Sequence, residues 1–242
     1  MKQLLNTLFV VTTIITISSC SDTDTDMTTS NIAHVSLDYT FSSGTITRAD
    51  DMYSTIYNKV LTKELAADTY SLTFINLSTN KAYTFSGSWK GNMISLETGR
   101  YKVIGTSIAD GNYIQDKCSL KFNTEVNITQ TDHTIVLQAA YDCFLLIFDK
   151  AAVKEVTVHY NINASKADTA SLFEFNNMIY GFSRGLYNEN INVYQYLVIT
   201  LNDDTREDIQ TNGSTVFEIG KYYLYSPLRS NFLLPRMEAG NI

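Results

Sequence analysis

Three cysteines carry the most definite chemistry in this chain. Cys20 follows Ile17-Ser18-Ser19, and small side chains ahead of a cysteine are what a signal peptidase pocket accepts before an acylated thiol. With Cys20 lipidated, Cys118 and Cys143 remain as an even pair enclosing a 24-residue interval. In an oxidising compartment such a pair admits a disulfide. Cys143 also adjoins an apolar run, where a buried free thiol fits equally well, so both readings stay open. Two cysteines with no histidine nearby do not make a zinc site.

The remaining reactive side chains form no catalytic pattern. His34, His133 and His159 are far apart in the sequence, each on an alternating segment. Asp203-Asp204 with Glu207-Asp208 is the densest acidic cluster, but it lacks the Asp-x-Asp-x-Asp-Gly order of a calcium loop and reads as a solvated hairpin turn. No Gly-x-Ser-x-Gly elbow and no glycine-rich phosphate loop occurs. The sequence therefore predicts no enzyme, no cofactor and no metal. Aromatic rings are the other candidates. Trp89 stands between Ser88 and Lys90, and Tyr194 and Tyr196 share one strand face, as do Tyr223 and Tyr225. Exposed, such rings stack on sugars; buried, they make cross-strand pairs worth about 0.2–1 kcal/mol each.

The first thirty residues predict where the chain works. Lys2 precedes Leu4–Ile17, an uncharged apolar stretch too short to span a bilayer comfortably and suited to a signal peptide. With the cysteine that follows, it resembles the bacterial lipobox, which predicts a signal peptide over 1–19 and a lipid anchor in the membrane at Cys20. Residues 20–33 are rich in Asp, Ser and Thr, cannot bury apolar area, and read as an acidic tether. Removing residues 1–19 takes one lysine and changes the formal charge from −7 to −8. An acidic body argues against nucleic acid as a partner, because that affinity rests on Lys and Arg neutralising phosphates.

Strands must position whatever this chain binds. His34–Phe41 alternates polar and apolar without a break. Residues 50–67 differ: Met52, Ile56, Val60, Leu61 and Leu65 recur at helical spacing and predict one short helix. Strand signals then arrive about every ten residues, over 70–76, 83–85, 93–96, 100–106, 120–128, 134–139, 144–148, 156–162, 172–175, 178–182, 192–202, 215–219 and 222–225, which reads as an all-β chain of β-sandwich type. Glu97-Thr98-Gly99-Arg100-Tyr101-Lys102-Val103 repeats as Glu218-Ile219-Gly220-Lys221-Tyr222-Tyr223-Leu224. Glycine at a sheet corner permits a positive φ, and the tyrosine two residues on can tuck its ring into a core. The repeat suggests two tandem sandwiches, over 34–140 and 141–242.

Leu96-Glu97-Thr98-Gly99-Arg100-Tyr101-Lys102-Val103-Ile104-Gly105 resembles the Leu-x-x-Gly-x-Tyr-x-Val-x-Ala strand of transthyretin-like sandwiches in fimbrillin-like surface lipoproteins of Bacteroides-type bacteria. The lipobox, the acidic tether, the first strand ending in Thr47-Arg48-Ala49 and the segment Cys143-Phe144-Leu145-Leu146-Ile147 fit the same layout. The resemblance covers roughly residues 1–160. It implies a non-enzymatic structural or adhesive protein, lipid-anchored in the outer membrane at the cell surface, with pilus subunits as partners. It also implies a trypsin-like cleavage between Arg48 and Ala49, and export signalled by the acidic tether. Asp168-Thr169-Ala170 resembles the O-glycosylation sequence of the same bacteria, in a segment that reads as a polar loop, and marks Thr169. The alternative from a different class is a surface glycan-binding lipoprotein that uses Trp89, Tyr194 and Tyr196.

Overall fold

Alternation of apolar and polar side chains decides which face each strand buries. In β1 (Ile32–Phe41) Ala33, Val35, Leu37 and Tyr39 are buried while His34 and Thr40 face water, the two-residue period of a strand with one wet face. The computed structural model describes residues 31–41, 51–107, 114–160, 168–184, 196–210, 217–226 and 236–241. Cys20, Arg48, Ala49 and Tyr194, with the leader and residues 20–30 of the tether, lie outside the described residues. Among the described residues no helix is long and apolar enough to cross a membrane.

Among the described residues a single helix, α1 (Asp51–Leu61), follows β1. It buries Tyr53, Ile56, Tyr57 and Val60. The spacing predicts a helix running on to residue 67, and the structure ends it at Leu61. The Lys63 N–H bonds the Val60 carbonyl and the Glu64 N–H bonds the Lys59 carbonyl, both at 2.9 Å. Those are the paired bonds of a Schellman cap, and Lys63 takes the left-handed position at φ 66° that usually falls to glycine. Leu65 is buried beyond the cap, so its spacing mimicked one more helical contact.

β1 joins β2 (Thr69–Asn76), β3 (Ala82–Ser88), β4 (Met93–Glu97), β5 (Gly99–Ser107), β6 (Leu120–Ile128) and β7 (Thr134–Tyr141) in a seven-stranded sheet, ordered β3-β2-β5-β6-β7-β1-β4. Its edge strands β3 and β4 are consecutive in the chain and joined by the turn Trp89–Asn92. The sheet therefore curls nearly closed, with its edges tied at one corner. β1 runs parallel to β7 and antiparallel to β4.

Among the described residues nine strands follow: β8 (Phe144–Asp149), β9 (Val153–Tyr160), β10 (Asp168–Ser171), β11 (Phe173–Phe175), β12 (Met178–Ser183), β13 (Tyr196–Leu201), β14 (Arg206–Gln210), β15 (Lys221–Ser226) and β16 (Arg236–Asn241). They make a five-stranded sheet, β11-β12-β8-β15-β16, and a four-stranded one, β10-β9-β13-β14. Phe144, Leu146 and Phe148 of β8 pack with Val156, Val158, Leu197 and Ile199 of the four-stranded sheet. Leu145 and Ile147, on the other face of β8, join the core that holds α1 and the seven-stranded sheet. The unbroken apolar run Phe144–Phe148 is the sequence signature of a strand covered on both faces. The nearly all-β reading with one short helix holds.

Several elements differ from the sequence reading. Residues 217–220 are not strand. β10, β14 and β16 have too little apolar alternation to be read; β14 exists because β13 supplies five register partners. The internal repeat holds at its glycines, with Gly99 at φ 149° and Gly220 at φ 82°. Its tyrosines part company. Tyr101 is wholly buried and its hydroxyl donates to the Glu97 carbonyl at 2.8 Å. Tyr222 is only half-buried and stacks on Tyr53 of α1, ring centroids 3.9 Å apart.

Candidate functional site

Trp89 opens the corner turn between β3 and β4, and Tyr39 meets it from β1. Their ring centroids lie 4.6 Å apart at 60°, and Tyr70 and Phe122 approach the indole at 4.7 and 5.3 Å. Trp89 Nε1 donates to Ser107 Oγ at 3.1 Å, and the Trp89 N–H donates to the Asp68 carbonyl at 3.1 Å. The indole is thus held at its edge, its face and its backbone. Beside it opens a cleft of about 460 Å³, lined by Tyr39, Lys63, Asp68, Ser88, Trp89 and Lys90 among others.

Charge fringes this aromatic wall. Lys63 Nζ sits 4.6 Å from the Tyr39 ring centroid and pairs with Asp38; Lys117 pairs with Asp68. A cation over a ring contributes about 0.5–1 kcal/mol at an exposed site, and exposed ion pairs about as little. Both can therefore be exchanged for ligand hydroxyls at small cost. Burial, with smaller contributions from Cys118, Asp38 and Asp68, pushes the Tyr39 phenol far above its usual range. It stays neutral and can serve as a hydrogen-bonding group, but not as a base or nucleophile. Aromatic faces with hydrogen-bonding groups at their rim give this cleft the means to hold a polar ligand.

The other sequence candidates do not converge on it. Tyr196 lies on β13, in a different sheet from Trp89. Tyr223 and Tyr225 are buried, so neither can stack on a sugar. Thr169, read as lying in a polar loop, is on edge strand β10 opposite His159 and is exposed. Cys118 and Cys143 are both fully buried, with their sulfurs 3.3 Å apart. His34 Nδ1 is 2.8 Å from Ser95 Oγ, while His133 precedes β7 and His159 lies on β9. The acidic cluster spans the β13–β14 hairpin, and its members take separate partners: Asp204 pairs with Lys154 at 2.5 Å, Asp208 with Arg206 at 3.0 Å, and Glu207 accepts from Tyr225. Among the described residues no group of three or more His, Cys, Asp or Glu is placed to hold a metal.

Solved structures that resemble this fold include proteins named for fimbriae, for cell adhesion and for polysaccharide binding. One is the tip fimbrial protein Mfa3 of Porphyromonas gingivalis, 9% identical, with TM-score 0.44 over 73% of this chain and 95% of that one. A fimbrial assembly protein from Parabacteroides distasonis is 10% identical, with TM-score 0.45 over 87% of this chain and 95% of that one. A protein from Bacteroides uniformis, named as a candidate for cell adhesion, is 13% identical, with TM-score 0.45 over 73% and 92%. No family model and no curated protein matches the chain.

Sequence reasoning found Trp89 but missed Asp38, Tyr39, Lys63 and Asp68 as its companions. They come from two further segments, and only the curling of the sheet brings them together. The packing also makes Trp89 structural. Trp89→Ala is expected to cost about 2–3 kcal/mol, less than a fully buried tryptophan. Urea unfolding followed by circular dichroism checks this; a change below about 0.5 kcal/mol would show that the aromatic corner does not stabilise the sheet.

Proposed function

We propose that this chain is a lipid-anchored outer-membrane protein of fimbrial or adhesive type, exposed at the cell surface, with a structural rather than a catalytic role. The placing of β1 carries the reading. β1 follows the acidic tether directly, so a pull from an anchor at Cys20 enters the body at this strand. It is held by six register pairs to β7 and five to β4. A pull along such a strand loads these bonds together rather than one at a time. That suits a body that must stay folded while tethered at one end. The β1–α1 connection holds Arg48-Ala49, where a trypsin-like cut would release β1 covalently while both ladders still held it. The uncleaved, anchored form is the state proposed here.

Two measurements test this. Cys20→Ala is expected to lose its lipid and leave the membrane fraction; retention with palmitate label intact would refute the anchor. Protein isolated from its native host is expected to begin at an acylated Cys20. An N-terminus at Ala49, with ladders resistant to detergent, would instead make the chain a polymerising pilin.

The corner cleft supports a second reading, a surface glycan-binding protein. Trp89 is the sole tryptophan, so its fluorescence reports the cleft directly. Micromolar glycan binding that shifts this emission and is lost in Lys63→Ala, which leaves the aromatic cluster in place, would favour this second role. A flat titration across a glycan panel would dismiss it.

A further inference from the structure

The strand register decides how Cys118 and Cys143 face each other. β6 and β7 pair Leu120 with Tyr141, Lys121 with Ala140 and Phe122 with Ala139. Carried two residues further, the same register sets Cys118 directly opposite Cys143. The Asp142 N–H bonds the Ser119 carbonyl at 2.9 Å, which makes 119/142 a hydrogen-bonded pair and 118/143 the next, non-hydrogen-bonded one. In such a pair the side chains stand closest and the Cα atoms are about 4.5 Å apart, inside the range a disulfide bridges.

Backbone bonding agrees. Cys118 donates to the Leu65 carbonyl at 2.7 Å and accepts from the Ala67 N–H at 2.9 Å, and the Cys143 carbonyl accepts from the Gly220 N–H at 2.9 Å. These main-chain bonds point outward, and the two sulfurs face each other 3.3 Å apart and fully buried, both against the Ser119 carbonyl at 3.5 and 3.6 Å. No other described residue puts a thiol within reach, because these are the two described cysteines.

We propose that Cys118 and Cys143 are a disulfide-forming pair that staples the base of the β6–β7 hairpin to the start of β8. The oxidant is a small-molecule or protein disulfide. One cysteine thiolate attacks it, forming a mixed disulfide and releasing one thiol. The second cysteine thiolate attacks the mixed disulfide and releases the other thiol. Two protein thiols are thereby oxidised, the external disulfide is reduced to two thiols, and the two protein protons end on the released thiolates. In the folded body, burial chiefly, and then the contact with Cys143, pushes the Cys118 thiol upward, so its thiolate is scarce. The bond therefore forms while the chain is folding and is shielded afterwards. Both cysteines lie in the core that holds α1 and the seven-stranded sheet, bonded through their backbones to the α1–β2 connection and to Gly220 just before β15.

Occurrence of the bond in cells rests on the exported location proposed above; its geometry does not. The full chain, in a Cys20→Ala background so that no third thiol competes, is reduced in denaturant and refolded in equal parts of oxidised and reduced glutathione. It is then acid-quenched, alkylated in denaturant without reductant and mapped by mass. The expected product is a monomer two hydrogens lighter, with the Cys118 and Cys143 peptides linked and unalkylated. It should melt about 5–10 °C above the reduced chain, a difference abolished when both cysteines are replaced by alanine. Alkylation of both thiols after refolding would overturn the proposal. Wild-type protein from the native cell envelope is mapped in parallel. A linked pair there supports the proposal in cells. A bond that forms on refolding but is absent from the native protein would overturn the exported location alone.

Discussion

A chain lacking residues 1–41 is expected to be recovered as aggregate or oligomer, and a peptide spanning residues 31–41 is expected to return it to a monomer. β1 is an inner strand of the seven-stranded sheet, and among the described residues its loss strips β4 of its only neighbour in that sheet. Ala33, Val35, Leu37 and Tyr39 are all at most 3% exposed. Burying each of the three larger side chains contributes about 1.5–3 kcal/mol, so removing β1 forfeits about 5–9 kcal/mol before any ladder bond is counted. A domain of this size is stable by about 5–15 kcal/mol in all. The deletion consumes most of that margin and leaves unpaired backbone along β7 and β4, a template for any passing strand. Size-exclusion chromatography with added peptide gives the readout, and a peptide carrying Leu37→Asp is expected to fail. A truncated chain that is monomeric and melts as the full chain does would show that β1 is dispensable, and the tethered-strand reading would go with it.

The fold was legible wherever one physical rule acted alone. β1 and β6 could be read nearly residue for residue, because a strand with one wet face must alternate. Phe144–Phe148 could be read as deeply buried, but not as shared between two cores; an unbroken apolar run gives no period from which to assign the faces. α1 was overextended because Leu65 keeps helical spacing while the Lys63 cap has already turned the chain. β14 was invisible because Arg206–Gln210 owes its strand form to β13 and not to its own residues. The corner cleft follows the same logic. Trp89 stood out alone in the sequence, but Tyr39 was only one more inward position of β1, and Lys63 only one more exposed lysine. The cysteine pair is the intermediate case: count and compartment admitted a bond, and only the register of β6 against β7 showed that the two residues face each other.

Ile147→Asp is expected to abolish folding, and its neighbours are expected to show why. Ile147 is wholly buried, on the face of β8 that packs against the core of α1 and the seven-stranded sheet. A carboxylate there would have no designed partner, and burying an unpaired charge costs more than the several kcal/mol a domain can spare. The matched control is Val136→Asp on β7, where the side chain is 54% exposed and the change should stay within about 0.5 kcal/mol. Milder probes then separate the two faces of the strand. Leu145→Ala opens a cavity toward α1 and the seven-stranded sheet, and Leu146→Ala opens one toward the four-stranded sheet; each is expected to cost about 2–5 kcal/mol. Because β8 belongs to both cores, both variants should shift one and the same urea transition, followed by circular dichroism for the whole chain and by Trp89 fluorescence for the first sheet. If 34–140 and 141–242 unfold independently instead, Leu146→Ala would move the circular dichroism signal and leave the Trp89 transition where it was. That outcome would make β8 a boundary between two separate bodies. A common shift would make it the strand through which tension on β1 reaches the rest of the chain.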